Sequence, residues 1–137
     1  MKKVAVLLSL FTLLLLPASQ HPSQHLGAQQ LGQKVYWMAT IEVPIGQLSA
    51  YHAFAEKELI PLQEKHGYRF IATWQTIVGD IEEVLVICEF ESMAAYHDAR
   101  MGLLNSEGWT SVGPKFSAMT KSIKSRFLSA APYSKIK

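Results

Sequence analysis

With 137 residues the chain has room for one domain and a core large enough to fold without staples. An apolar content of 49% against 18% charged excludes a disordered chain. The formal charge of +2 comes entirely from Lys2 and Lys3, so the remainder is neutral and nucleic acid is not expected as a partner.

Lys2 and Lys3 precede an apolar run, Val4 to Leu16, that Pro17 ends. The run is too short to span a bilayer and reads as the core of a cleavable signal. Residues 1–18 are therefore expected as a signal peptide, with cleavage as late as residue 28, and no membrane span should remain afterwards. The expected location is exported, periplasmic or secreted. Residues 19–33 are uncharged and rich in Gln, Gly and Ser, a polar spacer. His21 and His25 fall within it, where Pro22 argues against a metal-binding helix. The domain proper is expected over 34–131, with 132–137 as a tail.

Val35 to Val43 alternates apolar and polar residues as a first strand, and Pro44 and Gly46 break it. From Gln47 the period becomes helical, with Leu48, Tyr51, Ala55, Leu59 and Leu62 on one stripe, a kink or restart at Pro61 and a left-handed stop at Gly67. Tyr68 to Val78 reads as strand two, Gly79-Asp80 as a two-residue hairpin loop and Ile81 to Phe90 as strand three. Ser92 is an N-cap for a helix to about Leu104. A shorter helical piece follows from Trp109, its start obscured by Gly113-Pro114, and Ile123 to Leu128 alternates as strand four. The order βαββαβ is the ferredoxin-like α+β arrangement, a four-stranded antiparallel sheet with helices on one face. Strand order 4-1-3-2 is expected, with strands one and three running parallel at the centre.

Strand parity places Trp37, Ile41, Val84, Val86, Cys88, Ile123 and Phe127 toward the helices. Tyr36, Thr40, Glu42, Glu89, Lys124 and Arg126 then share the outer face. If strands one and three ran parallel, Glu42 and Glu89 would be close enough to split their pKa values and act as acid and base. The favoured reading is structural: Lys124 and Arg126 neutralise them across strands or across a dimer. Apolar Tyr36, Met38, Leu85, Ile87 and Leu128 on the same face call for a covering partner. The lone Cys88 reads as a buried core residue.

His52, beside Tyr51, and His97, beside Tyr96, are the catalytic candidates, either of which would act as a general base. A pocket between helices and sheet would be lined by Tyr36, Tyr51, His52, Trp74, His97 and Trp109. The bland reading of both histidines, a hydrogen bond to a neighbour or to water, is favoured. No His-x-x-x-His or Glu-x-x-His pair exists in the domain, so no metal site is expected, and with no Gly-rich phosphate loop or CxxC no cofactor is expected either.

Several segments together resemble the NIPSNAP family of the dimeric α+β barrel superfamily. They are Pro44-Ile45-Gly46, the stretch from Leu59 to Gly67, Phe90-Glu91-Ser92 and Glu107-Gly108-Trp109. The resemblance covers about residues 35–129 and implies a homodimer with two sheets packed face to face. It departs on strand three, where Glu82, Val86 and Cys88 stand in place of the family's Asn, His and Trp. Two functions compete. The first is a domain that binds a small apolar molecule or a partner without chemistry. The second is a cofactor-free monooxygenase or isomerase using a pocket histidine. A deep pocket lined by Trp74, Tyr51 and a histidine would favour the second, and a cleft filled by side chains the first.

Overall fold

The computed structural model describes residues 33–136. The expected signal sequence, its cleavage sites and His21 and His25 lie outside the described residues. β1 (Val35–Glu42) is followed by a short 3-10 turn and a long helix, α1 (48–65). Strands β2 (Arg69–Gln75) and β3 (Glu83–Phe90) precede α2 (Met93–Leu104), α3 (Glu107–Met119) and β4 (Ser122–Leu128). The sheet order is β2-β3-β1-β4, the 4-1-3-2 arrangement of the ferredoxin-like fold. Every neighbouring pair is antiparallel, including β1 with β3.

That last point corrects the expectation that strands one and three run parallel. In a βαββαβ chain the two β-α-β crossovers join strands one and two, and three and four, each pair separated by a single antiparallel strand. In β1–β3 the register pairs Tyr36 with Glu89 and Glu42 with Glu83. Glu42 and Glu89 therefore stand at opposite ends of the sheet, roughly 20 Å apart along β1 by strand rise. No carboxylate dyad exists there.

The helix-facing side of the sheet carries Ala39, Ile41, Val84, Val86 and Cys88, all buried. α1 lays Leu48, Tyr51 and Ala55 onto this face, while Phe54 and Leu59 pack with Val112 of α3. The helix widens at Ala55–Leu59 into a π turn, in which the Ile60 amide donates to the Ala55 carbonyl. Pro61 follows at once, in the first turn of the resumed α-helix Ile60–Lys65. A proline has no N–H and its ring crowds the carbonyl four residues back, so the wide turn accommodates it without ending the helix.

Gly67 closes α1 with a φ of +92°. The Tyr68 amide donates to Gln63 and the Gly67 amide to Glu64, the paired bonds of a Schellman cap. α2 is capped as the sequence suggests, with the Ala95 amide donating to Ser92 Oγ at 3.1 Å. α3 begins earlier and runs longer than expected, because Ser106 caps it through the Trp109 amide at 3.2 Å. Gly108 in its first turn permits a close crossing, since a Cβ there would stand 2.6 Å from Leu62 Cδ1 on α1. Pro114 lies inside α3 and does not end it. The β2–β3 connection is longer than a two-residue hairpin: Thr76 still bonds to Glu83, leaving 77–82 as the loop.

One irregularity in β2 decides the functional geometry. Phe70 pairs with Cys88, but the next pairs are Ala72 with Ile87 and Thr73 with Val86, so one extra residue is accommodated at Ile71. A bulge of this kind reverses side-chain parity beyond it. Phe70, Thr73 and Gln75 face the helices, while Ala72 and Trp74 face outward.

Candidate functional site

A cavity of about 540 Å³ opens between α1, α2, α3 and the helix-facing side of the sheet. Its floor is Trp37, Ile41, Phe70, Val86 and Ile123, and its walls include Tyr51, Leu59, Leu103, Trp109 and Phe116. The aromatic groups form two clusters. In one, Trp37, Tyr68, Phe90, Tyr96 and Phe127 contact successively edge to face, at centroid separations of 4.7–6.0 Å. In the other, Phe116 lies between Tyr51 and Trp109 at 6.4 and 6.5 Å. Offset and edge contacts of this kind hold rings in fixed orientations, so the walls are preformed.

Few polar groups reach the cavity. His52 lines it, and its Nε2 donates to Gln75 Oε1 at 2.9 Å. The partner is a neutral amide and not a carboxylate. Tyr51 and Tyr68 line the cavity with only 2% and 4% of their surface exposed. Burial raises both phenols from 10.0 to about 12, Tyr68 with a further contribution from Tyr96, so both stay protonated at neutral pH. Glu56, Gln63, Thr73, Arg100 and Ser125 complete the polar lining.

The sequence-based site is therefore only partly assembled. Tyr51, His52 and Trp109 come together in the cavity. Trp74 does not, because the bulge turns it outward, where it is 54% exposed. Tyr36 also lies on the outer face, and His97 is exposed on α2 away from the cavity lining. Trp37, Tyr68, Phe70 and Arg100 belong to the cavity and were not among the expected pocket residues. For Trp37 the signal was present, since strand parity already directs it toward the helices.

The outer face carries its own features. A shallower cavity of about 390 Å³ is bounded by Tyr36, Ile71, Trp74, Ile87 and Leu128 and by the segment after β4, including Ala131 and Tyr133. Glu89 is 4% exposed and is neutralised by Arg69 at 2.8 Å and Lys34 at 3.0 Å. Glu42 meets Ser122 Oγ at 2.9 Å and Lys121 at 3.7 Å. Lys124 and Arg126 form no ion pair within the described chain, which corrects the expected cross-strand pairing. Antiparallel register puts Arg126 opposite Met38 and Lys124 opposite Thr40, out of line with either carboxylate. Among the described residues the Tyr36 hydroxyl is buried without a hydrogen-bond partner, and burial, then the nearby Glu89 charge, raise its pKa. Cys88 is fully buried, its thiol pushed from 9.0 to about 12 by desolvation and then by Glu64.

Among the described residues no group of three His, Cys, Asp or Glu side chains could hold a metal, and no helix is long and apolar enough to cross a membrane. The family model for NIPSNAP matches residues 36–135. The chain belongs to the NIPSNAP family. A NIPSNAP family protein from Agrobacterium tumefaciens shares 18% identity at a TM-score of 0.73, with 77% of this chain and 100% of that one covered. A second from the same organism, described as of unknown function, shares 23% identity at 0.73, over 77% and 96% of the two chains. A putative antibiotic biosynthesis monooxygenase from Bacteroides thetaiotaomicron is more distant, at 12% identity and 0.53, over 77% and 95%. No curated protein matches the sequence. These likenesses establish the NIPSNAP α+β fold, and a fold hosts many activities.

Proposed function

We propose that this NIPSNAP domain is exported, forms a homodimer and holds a small apolar molecule between its helices and its sheet without transforming it. The open cavity carries this reading. At about 540 Å³ it falls within the ~300–1,000 Å³ range of small-molecule sites. It is mainly aromatic and aliphatic, with a few fixed polar groups, which is how such sites combine affinity with orientation. Export is supported by Lys2, Lys3 and the apolar run to Leu16. Dimerisation is supported by the outer face, where Trp74, Met38, Leu85, Ile87 and Leu128 remain wholly or partly exposed. In such a dimer Lys124 and Arg126 would be available to carboxylates of the second copy.

The second reading, a cofactor-free monooxygenase or isomerase, draws on the open cavity, on His52 and on the distant monooxygenase likeness. The cavity is not filled by side chains, and Tyr51 and His52 line it, although Trp74 does not. What the enzyme reading lacks is a second titrating group bonded to His52. His52→Gln separates the two. Removal of a general base costs typically 10²–10⁴-fold in rate, whereas a binding role leaves ligand retention within a few-fold. The expected result is that wild type and His52→Gln retain the same molecule from a cell extract with no turnover. Conversion by wild type and not by His52→Gln would replace this reading with the enzymatic one.

A further inference from the structure

The cavity is electrically asymmetric along its length. At one end, His52 is anchored to Gln75, which pairs with Val84, and Glu56 stands one helical turn beyond His52. At the other end, Tyr68 directly precedes Arg69, which pairs with Glu89. Val84 and Glu89 are five residues apart on β3, roughly 16 Å at ~3.3 Å per residue. Glu56 is the one carboxylate and Arg100 the one permanent cation among the residues bounding the cavity.

Arg100 is chemically underused. It donates to the Tyr96 hydroxyl at 3.4 Å, a long bond, and no carboxylate of the described chain lies within 4.0 Å of it. Tyr96 contacts Phe90 and Phe90 contacts Tyr68, which sets Arg100 and Tyr68 on the same aromatic row at the cavity. Tyr68 is nine-tenths buried, lines the cavity and gives its hydroxyl to no hydrogen bond within the described chain. Its hydroxyl is not among the buried, unpaired side-chain atoms, so it is open to the cavity and able to donate to an occupant. A guanidinium and a phenolic O–H lining the same end of an apolar slot both offer donors, a combination that suits an oxyanion.

Resting on the cavity-binding reading, we infer that the ligand is an amphipathic monocarboxylic acid, with its carboxylate at Arg100 and Tyr68 and its apolar body along Trp37, Phe70 and Leu103. Glu56 at the far end repels the carboxylate and so fixes the direction of entry. An alcohol of the same length would lose the charge-assisted bond, and a cation would be repelled by Arg100 and drawn toward Glu56 instead.

Titration calorimetry of the whole protein with decanoate, decanol and decyltrimethylammonium near pH 7, at low salt, tests this. Decanoate is expected to bind at least about tenfold tighter than the other two, the effect of one partly exposed charge-assisted bond. Arg100→Gln should abolish that preference by weakening decanoate far more than decanol, and Arg100→Lys should keep most of it. Tyr68→Phe should weaken decanoate more than decanol. A purely structural role for Arg100 would move all three ligands together. Equal binding of decanoate and decanol to wild type would overturn the inference while leaving the cavity reading intact. A preference unchanged in Arg100→Gln would overturn it too. Absence of binding by all three would overturn both.

Discussion

Raising the pH from about 8 to 11 is expected to cost the folded domain on the order of 5 kcal/mol. Three groups drive the loss. Cys88, Tyr51 and Tyr68 are buried, and their pKa values rise to about 12 from 9.0, 10.0 and 10.0. A raised folded pKa means that the native state holds a proton the unfolded chain releases earlier. Stability is then complete below about pH 9 and is lost as pH climbs toward 12, because the native state binds more protons throughout that window. Urea unfolding at both pH values measures the difference directly. Cys88→Ala should flatten the pH dependence, since Cys88 has the widest gap between its folded and ordinary pKa. An unfolding free energy that stays constant from pH 8 to 11 would mean these groups are not buried as described. The same burial makes the thiol inert, so alkylation of Cys88 should proceed only at the rate of opening.

Arg69→Met is expected to destabilise the domain by about 2 kcal/mol. The substitution leaves the carboxylate of Glu89, 4% exposed, with Lys34 as its remaining cation at 3.0 Å. Removing one partner of a fully buried pair costs ~3–5 kcal/mol. The estimate is lower here because the Arg69 side chain is 66% exposed and Lys34 remains. The double change Arg69→Met with Glu89→Met should recover most of the loss, since replacing both charges by apolar groups is often neutral or stabilising. Chemical denaturation of the four proteins closes the cycle. An Arg69→Met protein as stable as wild type would remove Glu89 from the account of the outer face.

Most of the fold was legible in the residues because it rests on local chemistry. Alternation in Val35 to Glu42 fixed the faces of β1, Ser92 marked the start of α2, and Gly67 stood where a left-handed residue is needed. The site was less legible, for two physical reasons. A single extra residue at Ile71 reverses parity, and nothing in the composition of β2 marks it, so Trp74 was assigned to the cavity and is instead on the outer face. Strand direction was the other. With β1 and β3 antiparallel, Lys34 comes beside Glu89, a partner that a parallel arrangement hides, while Arg69 reaches Glu89 through the β2–β3 register. Trp37 and Tyr51 were placed correctly toward the helices by periodicity alone. Whether the space between them was open depended on side-chain volumes from three helices at once, which no local pattern encodes.

The central claim, that the helix–sheet cavity holds a small molecule, meets its most direct test in native mass spectrometry of protein recovered from the exported fraction of its host. Ser125→Trp is the control, because Ser125 lines the cavity from β4 and an indole there would fill space without displacing the buried core. The account predicts a mature chain beginning between about residues 19 and 29, a dimer, and a retained small-molecule mass that is lost in Ser125→Trp while the dimer persists. Wild-type protein of bare polypeptide mass that also takes up no apolar ligand, or an adduct equally abundant in Ser125→Trp, would contradict it.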